Sequence, residues 1–82
     1  MTDRLKHGDY VRVRLNEHDE WTEAVVALAS DANPSSVMLL LDGAVRDSWG
    51  GFIAQALPLT IDYGAESVTS LFGDSYELEV TA

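Results

Sequence analysis

Polar and apolar residues alternate most cleanly near the two ends of the chain. In "YVRVRL" (10–15), Val11, Val13 and Leu15 fall on one side and Arg12 and Arg14 on the other. In "YELEV" (76–80), Tyr76, Leu78 and Val80 alternate with Glu77 and Glu79. A period of two is the signature of a strand with one face in a core and one in water. Between these strands, "SVMLLLDG" (36–43) is a short apolar run ending in a turn pair, which suits a buried strand over 37–43. "FIAQALPLTID" (52–62) is also strand-like. Its alternation slips near Leu57, and Pro58 cannot donate to a ladder, which predicts a bend or an edge there.

"WTEAVVALAS" (21–30) has two readings. Trp21, Ala24, Val25 and Leu28 are spaced for a helix that Asp19 could cap, giving an α+β domain with a helix at 19–30. Thr22, Ala24, Val26 and Leu28 equally form one face of a strand. The neighbours favour the strand, because "DANPSS" (31–36) gathers turn formers and an apolar strand follows. "NEHDE" (16–20) and "AVRDSWGG" (44–51) are loops. "YGAESVTSLFGD" (63–74) holds turn residues at both ends and a short strand or helical turn between them.

Five short strands with glycine-containing turns predict an all-β, small antiparallel barrel in a single domain. The succession "GDYVRVRL", "WTEAVV", "SVMLLLDG", "GGFIAQALPL", "YELEV" resembles the five-stranded SH3-like barrels of the Tudor-like kind. In that family a G-D-x-V strand is followed by an acidic loop, a Trp and an A-x-V strand. The resemblance runs from Gly8 to Val80. It implies that the terminal strands are neighbours, with Arg12 and Arg14 facing Glu77 and Glu79. It also implies ligand-contacting aromatics beside the acidic loop, which makes Trp21 and Trp49 candidates together with Glu17, Asp19 and Glu20.

With 82 residues, such a domain buries only about 60–65% of its unfolded surface, so its core has to be well filled. Seven aromatic residues are available. Phe52 and Phe72 are expected in the core, and Tyr76 beside them with its hydroxyl at the rim. In "DSWGGFIA" (47–54), Gly50 and Gly51 mark a turn needing positive φ. Trp49 is expected half-buried at the rim, its ring along the glycines and one edge open, with Asp47 placed to hold a cationic group near it.

Charge narrows the functional classes. The net charge is −9, unevenly spread. Residues 1–15 carry Arg4, Lys6, Arg12 and Arg14 against Asp3 and Asp9, a local +2; the remainder carries Arg46 alone against twelve carboxylates, a local −11. Surfaces that bind phosphate backbones or anionic membranes need the opposite sign. There is no cysteine, so neither a disulfide framework nor a thiolate metal site is expected. The opening "MTDRLKHGDY" has no apolar stretch for a signal peptide, and no apolar run reaches the ~18 residues of a membrane span. The expectation is a cytoplasmic protein.

Catalytic patterns are missing. His7 and His18 are the only histidines, "RDSWGG" lacks the spacing of a nucleophile elbow, and no phosphate-cradling glycine motif occurs. "NEHDEWTE" is acidic but lacks the ligand order of a calcium loop, so it reads as a solvated turn without a metal or other cofactor. The sequence therefore points to a noncatalytic protein-binding or assembly module that meets a basic or Pro-rich partner through its loops and an acidic face. An acidic nucleic-acid mimic that inhibits a DNA-binding protein and a structural homo-oligomer are the alternatives. With that charge, duplex DNA should not be retained even at ~50 mM salt, where electrostatic attraction is strongest. Micromolar affinity in a gel-shift titration contradicts it.

Overall fold

The structure is a computed structural model describing residues 4–29 and 36–81. Most of the turn expected at 31–36 lies outside the described residues. The strands are β1 (Tyr10–Arg14), β2 (Thr22–Ala29), β3 (Ser36–Arg46), β4 (Phe52–Asp62), β5 (Ser67–Ser70) and β6 (Glu77–Val80). They form one antiparallel sheet in the order β5-β4-β3-β2-β1-β6. Its edges meet where Thr69 bridges Ser75 and the Tyr76 N–H donates to Val68 O at 2.8 Å, so the sheet curls into a nearly closed small barrel. The fold class is all-β as expected, with six strands rather than five: "SVTS", inside 63–74, supplies the additional one.

β1 and β6 pair as their alternation predicts, Arg12 opposite Glu79 and Arg14 opposite Glu77. Both arginines donate hydrogen bonds to their partners' carboxylates. Exposed pairs of this kind contribute roughly 0.2–1 kcal/mol each. The inward faces of these and the other strands carry Val11, Val13, Ala24, Val26, Val37, Leu39, Val45, Leu57, Leu59, Ile61 and Val68, closed by Leu5 and Tyr76.

The 21–30 segment is a strand, and no helix occurs among the described residues. β2 is paired on both sides, by β1 and β3, and a helix there would leave both neighbours' backbone groups unpaired. The expected face holds only through Val26. A register shift between Val26 and Leu28 inserts Ala27 as a bulge and turns Leu28 outward, leaving it 64% exposed.

β3 does not stop at Asp42-Gly43 but runs to Arg46, taking in the start of the expected 44–51 loop. Its ladder with β4 jumps from Leu40–Ala56 to Ala44–Ala54, so Leu41, Asp42 and Gly43 face Gln55 alone. Gly43 (φ +135°) and Gln55 (φ +71°) absorb the mismatch. The Thr22 hydroxyl donates to Ala44 O at 2.9 Å beside it. This bend, at Gln55 and not at Pro58, swings the ends of both strands around the barrel. Pro58 lies one residue before the β4–β5 ladder begins at Leu59, where its missing N–H is not needed.

Two core assignments fail. Phe52 is 69% and Phe72 74% exposed. Phe52 stands opposite exposed Arg46 on the outer side of its ladder, with its neighbour Ile53 taking the inward phase. Phe72 rides the tip of the β5–β6 turn next to Gly73 (φ +87°). Tyr76 is buried as expected, its hydroxyl donating to Arg46 O at 3.0 Å. Stability should follow this division. Leu39→Ala and Leu57→Ala remove side chains from the packed interior and each should cost about 2–5 kcal/mol. Phe52→Ala and Phe72→Ala should stay within about 0.5 kcal/mol of wild type in urea denaturation, as surface substitutions do.

Candidate functional site

Three connections converge at one end of the barrel: 15–21 between β1 and β2, 47–51 between β3 and β4, and 71–76 between β5 and β6. Specific bonds hold them together. Asp19 Oδ1 accepts from Arg46 Nη1 at 2.8 Å, which ties the acidic loop to the end of β3. Arg46 O takes the Tyr76 hydroxyl. The Ser48 N–H donates to Asp74 Oδ2 at 3.2 Å and the Ser48 hydroxyl donates to Asp74 Oδ1, which joins the second and third connections. All six residues singled out from the sequence lie at this end, but in different circumstances.

Trp21 is half-buried and engaged. The guanidinium carbons of Arg12 and Arg14 lie 4.4 and 4.1 Å from its ring centroid, a cation–π arrangement that contributes about 0.5–2 kcal/mol for each close cation. Glu79 and Glu77 hold the same arginines from the other side. The basic outer edge of β1 is thus neutralised within the molecule.

Trp49 is 84% exposed, not half-buried. The reason is the turn beneath it. Asp47 Oδ1 accepts the Trp49 and Gly51 N–H groups at 2.9 and 3.0 Å, and the Asp47 N–H donates to Gly51 O at 3.0 Å. Gly50 has φ +86°, whereas a Cβ on Gly51 would come 3.1 Å from Asp47 Oδ2. One glycine supplies conformation and the other supplies room. The Asp47 carboxylate therefore shapes the turn rather than standing ready for a cation, and the ring is lifted clear of the barrel.

Asp19 is largely buried, and its Oδ2 is the one buried side-chain polar atom without a hydrogen-bond partner among the described residues. Glu17 and Glu20 are exposed. Asp19, Glu20 and Trp21 line a groove of about 270 Å³ with Arg46 and Phe52. Among the described residues no group of three or more acidic or histidine side chains converges as a metal cage would.

Phe52, Leu71 and Phe72, not among the residues expected at this end from the sequence, expose large apolar surface on or beside these connections. A signal for Phe52 was available: Ile53 and Phe52 cannot both face inward on one strand. "SLFGD" carries a weaker one, since a glycine directly after Phe72 puts that residue in a turn.

No protein family, curated protein or solved structure matches this chain. What the site can do rests on its residues.

Burial pushes the Tyr76 phenol up to about 12, helped by the nearby carboxylates of Asp74 and Asp47, which oppose a phenolate. Above about pH 10 the unfolded chain loses this proton while the folded chain keeps it. The resulting stabilisation is complete below about pH 10 and is lost as pH rises towards 12. Tyr76→Phe should flatten that alkaline limb in denaturation curves across pH, at the expense of about 1–3 kcal/mol at neutral pH for the unpaired Arg46 carbonyl. An unchanged alkaline limb in the variant contradicts the assignment.

Proposed function

We propose that this protein is a noncatalytic protein-binding module of the SH3-like, Tudor-like kind, whose loop end takes a basic or Pro-rich segment of another protein. The observation that carries the reading is Trp49: a large aromatic side chain held almost entirely in water by a turn that fixes its backbone at several points. Fixing the backbone in advance reduces the entropy lost on association. Exposed, rigidly mounted Trp residues are the usual energetic anchors of interfaces. Leu71 and Phe72 accompany it on a turn tied to its own through Ser48 and Asp74. Phe52 extends the apolar surface towards the groove.

The charges around this surface fit a cationic partner. Glu17, beside His18, and Glu20 are exposed and can meet Lys or Arg at the rim, where charge speeds encounter and sets specificity. An extended Pro-rich segment suits a groove between aromatic side chains, because its conformation is already fixed before binding. The mimic alternative needs carboxylates free in phosphate-like rows. Glu77 and Glu79, the clearest alternation, are held by Arg14 and Arg12, which weighs against it.

Calorimetric titration with a synthetic peptide of alternating Pro and Arg tests the reading. Trp49→Ala should weaken binding by about 30-fold, the loss of an interface anchor of about 2 kcal/mol, while melting near wild type. Equal affinity of the variant, or collapse of its melting temperature, overturns the proposal.

A further inference from the structure

Away from the loop end, the outside of the sheet carries a second apolar surface. Tyr10 stands opposite Val25, Val25 opposite Leu40, and Leu40 opposite Ala56, so one outward row crosses four strands. Beside it Leu28, Met38 and Pro58 form a parallel row. Tyr10 is 60% exposed, and the Ala27 bulge delivers Leu28 to this face instead of to the core. Between Tyr10 and Leu40 the surface dips into a cleft of about 300 Å³.

The rim of that cleft is made by Glu23 and Asp42, which are directly opposite each other on β2 and β3. Like charges in that position repel and destabilise a sheet. Among the described residues neither carboxylate has a hydrogen-bond or ion-pair partner. Arg12 is next in the same cross-strand row, yet its guanidinium is turned to Glu79 and the Trp21 ring. Among the described residues no cation is paired to relieve the repulsion.

We infer that this cleft is a second docking surface, for a segment of a partner protein that places an apolar side chain between Tyr10 and Leu40 and a Lys or Arg between Glu23 and Asp42. Charge complementarity selects that occupant. A second copy of this chain, seated through the same patch, would bring its own Glu23 and Asp42 against the first pair, in a molecule already at −9. A cation from outside relieves the repulsion that the fold leaves standing, and the flanking apolar rows exclude water from the contact.

The test uses the whole protein and a short peptide of alternating Lys and Leu, with an alternating Glu and Leu peptide as control, followed by amide NMR and calorimetry. The Lys peptide should shift the resonances of Tyr10, Val25 and Leu40, and the Glu peptide should not. Glu23→Gln should weaken the binding by about fivefold, as loss of one rim ion pair does, and should raise the melting temperature because a repulsion is gone. Leu40→Asn should abolish the shifts, whereas Trp49→Ala should leave them intact, which separates this surface from the loop end. Shifts confined to residues 47–52 and 71–74, or equal binding of both peptides, overturn the inference. So does a dimer in sedimentation that Leu40→Asn dissolves, since that assigns the face to a second copy.

Discussion

The interior of so small a barrel is the constraint from which the other features follow. Six short strands close around valines, leucines and an isoleucine, and the space that remains at the loop end is taken by one tyrosine ring. Branched aliphatic side chains fill such a space in few rotamers and interdigitate at crystal-like density. Once they do, a second ring, that of Tyr63, packs only part-buried against them. Tyr10, Trp49, Phe52 and Phe72 are left exposed and Trp21 half-buried, and the polar bonds of the loops help decide where they stand. Trp21 is fastened beneath arginines, Trp49 is raised on an Asp-bound turn, and Phe72 is carried out on a hairpin tip.

Electrostatics works on the same small scale. A chain with so many carboxylates and so few cations keeps its cations close to home: Arg12 and Arg14 lock the terminal strands and cover Trp21, and Arg46 secures the acidic loop. Several carboxylates serve local structure, Asp47 and Asp74 by bonding backbone and side chain in the turns. The acids left over, Glu17, Glu20, Glu23 and Asp42 among them, are the ones that give the surface its outward-facing character. The negative field of this protein is thus what its internal bonding leaves behind, concentrated beside exposed apolar groups.

The terminal strands and their register were legible because each residue of "YVRVRL" and "YELEV" agrees with a single answer: alternation, charge sign and opposite direction. The position of Trp21 and the acidic loop at one end was legible too, through the same topology. What escaped was governed by breaks in the strand ladders. Ala27 resets the phase of β2, the Leu41–Gly43 stretch opposite Gln55 bends β3 while keeping its inward parity, and such irregularities have no signature in a sequence that tolerates alanine and glycine elsewhere. The aromatics misled for another reason. Hydrophobicity says that Phe52 and Phe72 would gain from burial, but whether room exists depends on how completely the aliphatics have already filled the core. That is a property of the assembled barrel and belongs to no segment.

β3 is the strand on which both outer surfaces are built, Leu40 before its bend and Arg46 after it. The irregularity at Gly43 and Gln55 works as a fixed elbow, so the two surfaces look in different directions while sharing one rigid member. A straight extended ligand cannot run along β3 across both. Two ligands, or one with a turn of its own, are geometrically required to occupy them together. Mechanically the strand then joins the two: both surfaces stand on one continuous length of backbone, paired on either side of the elbow with β4.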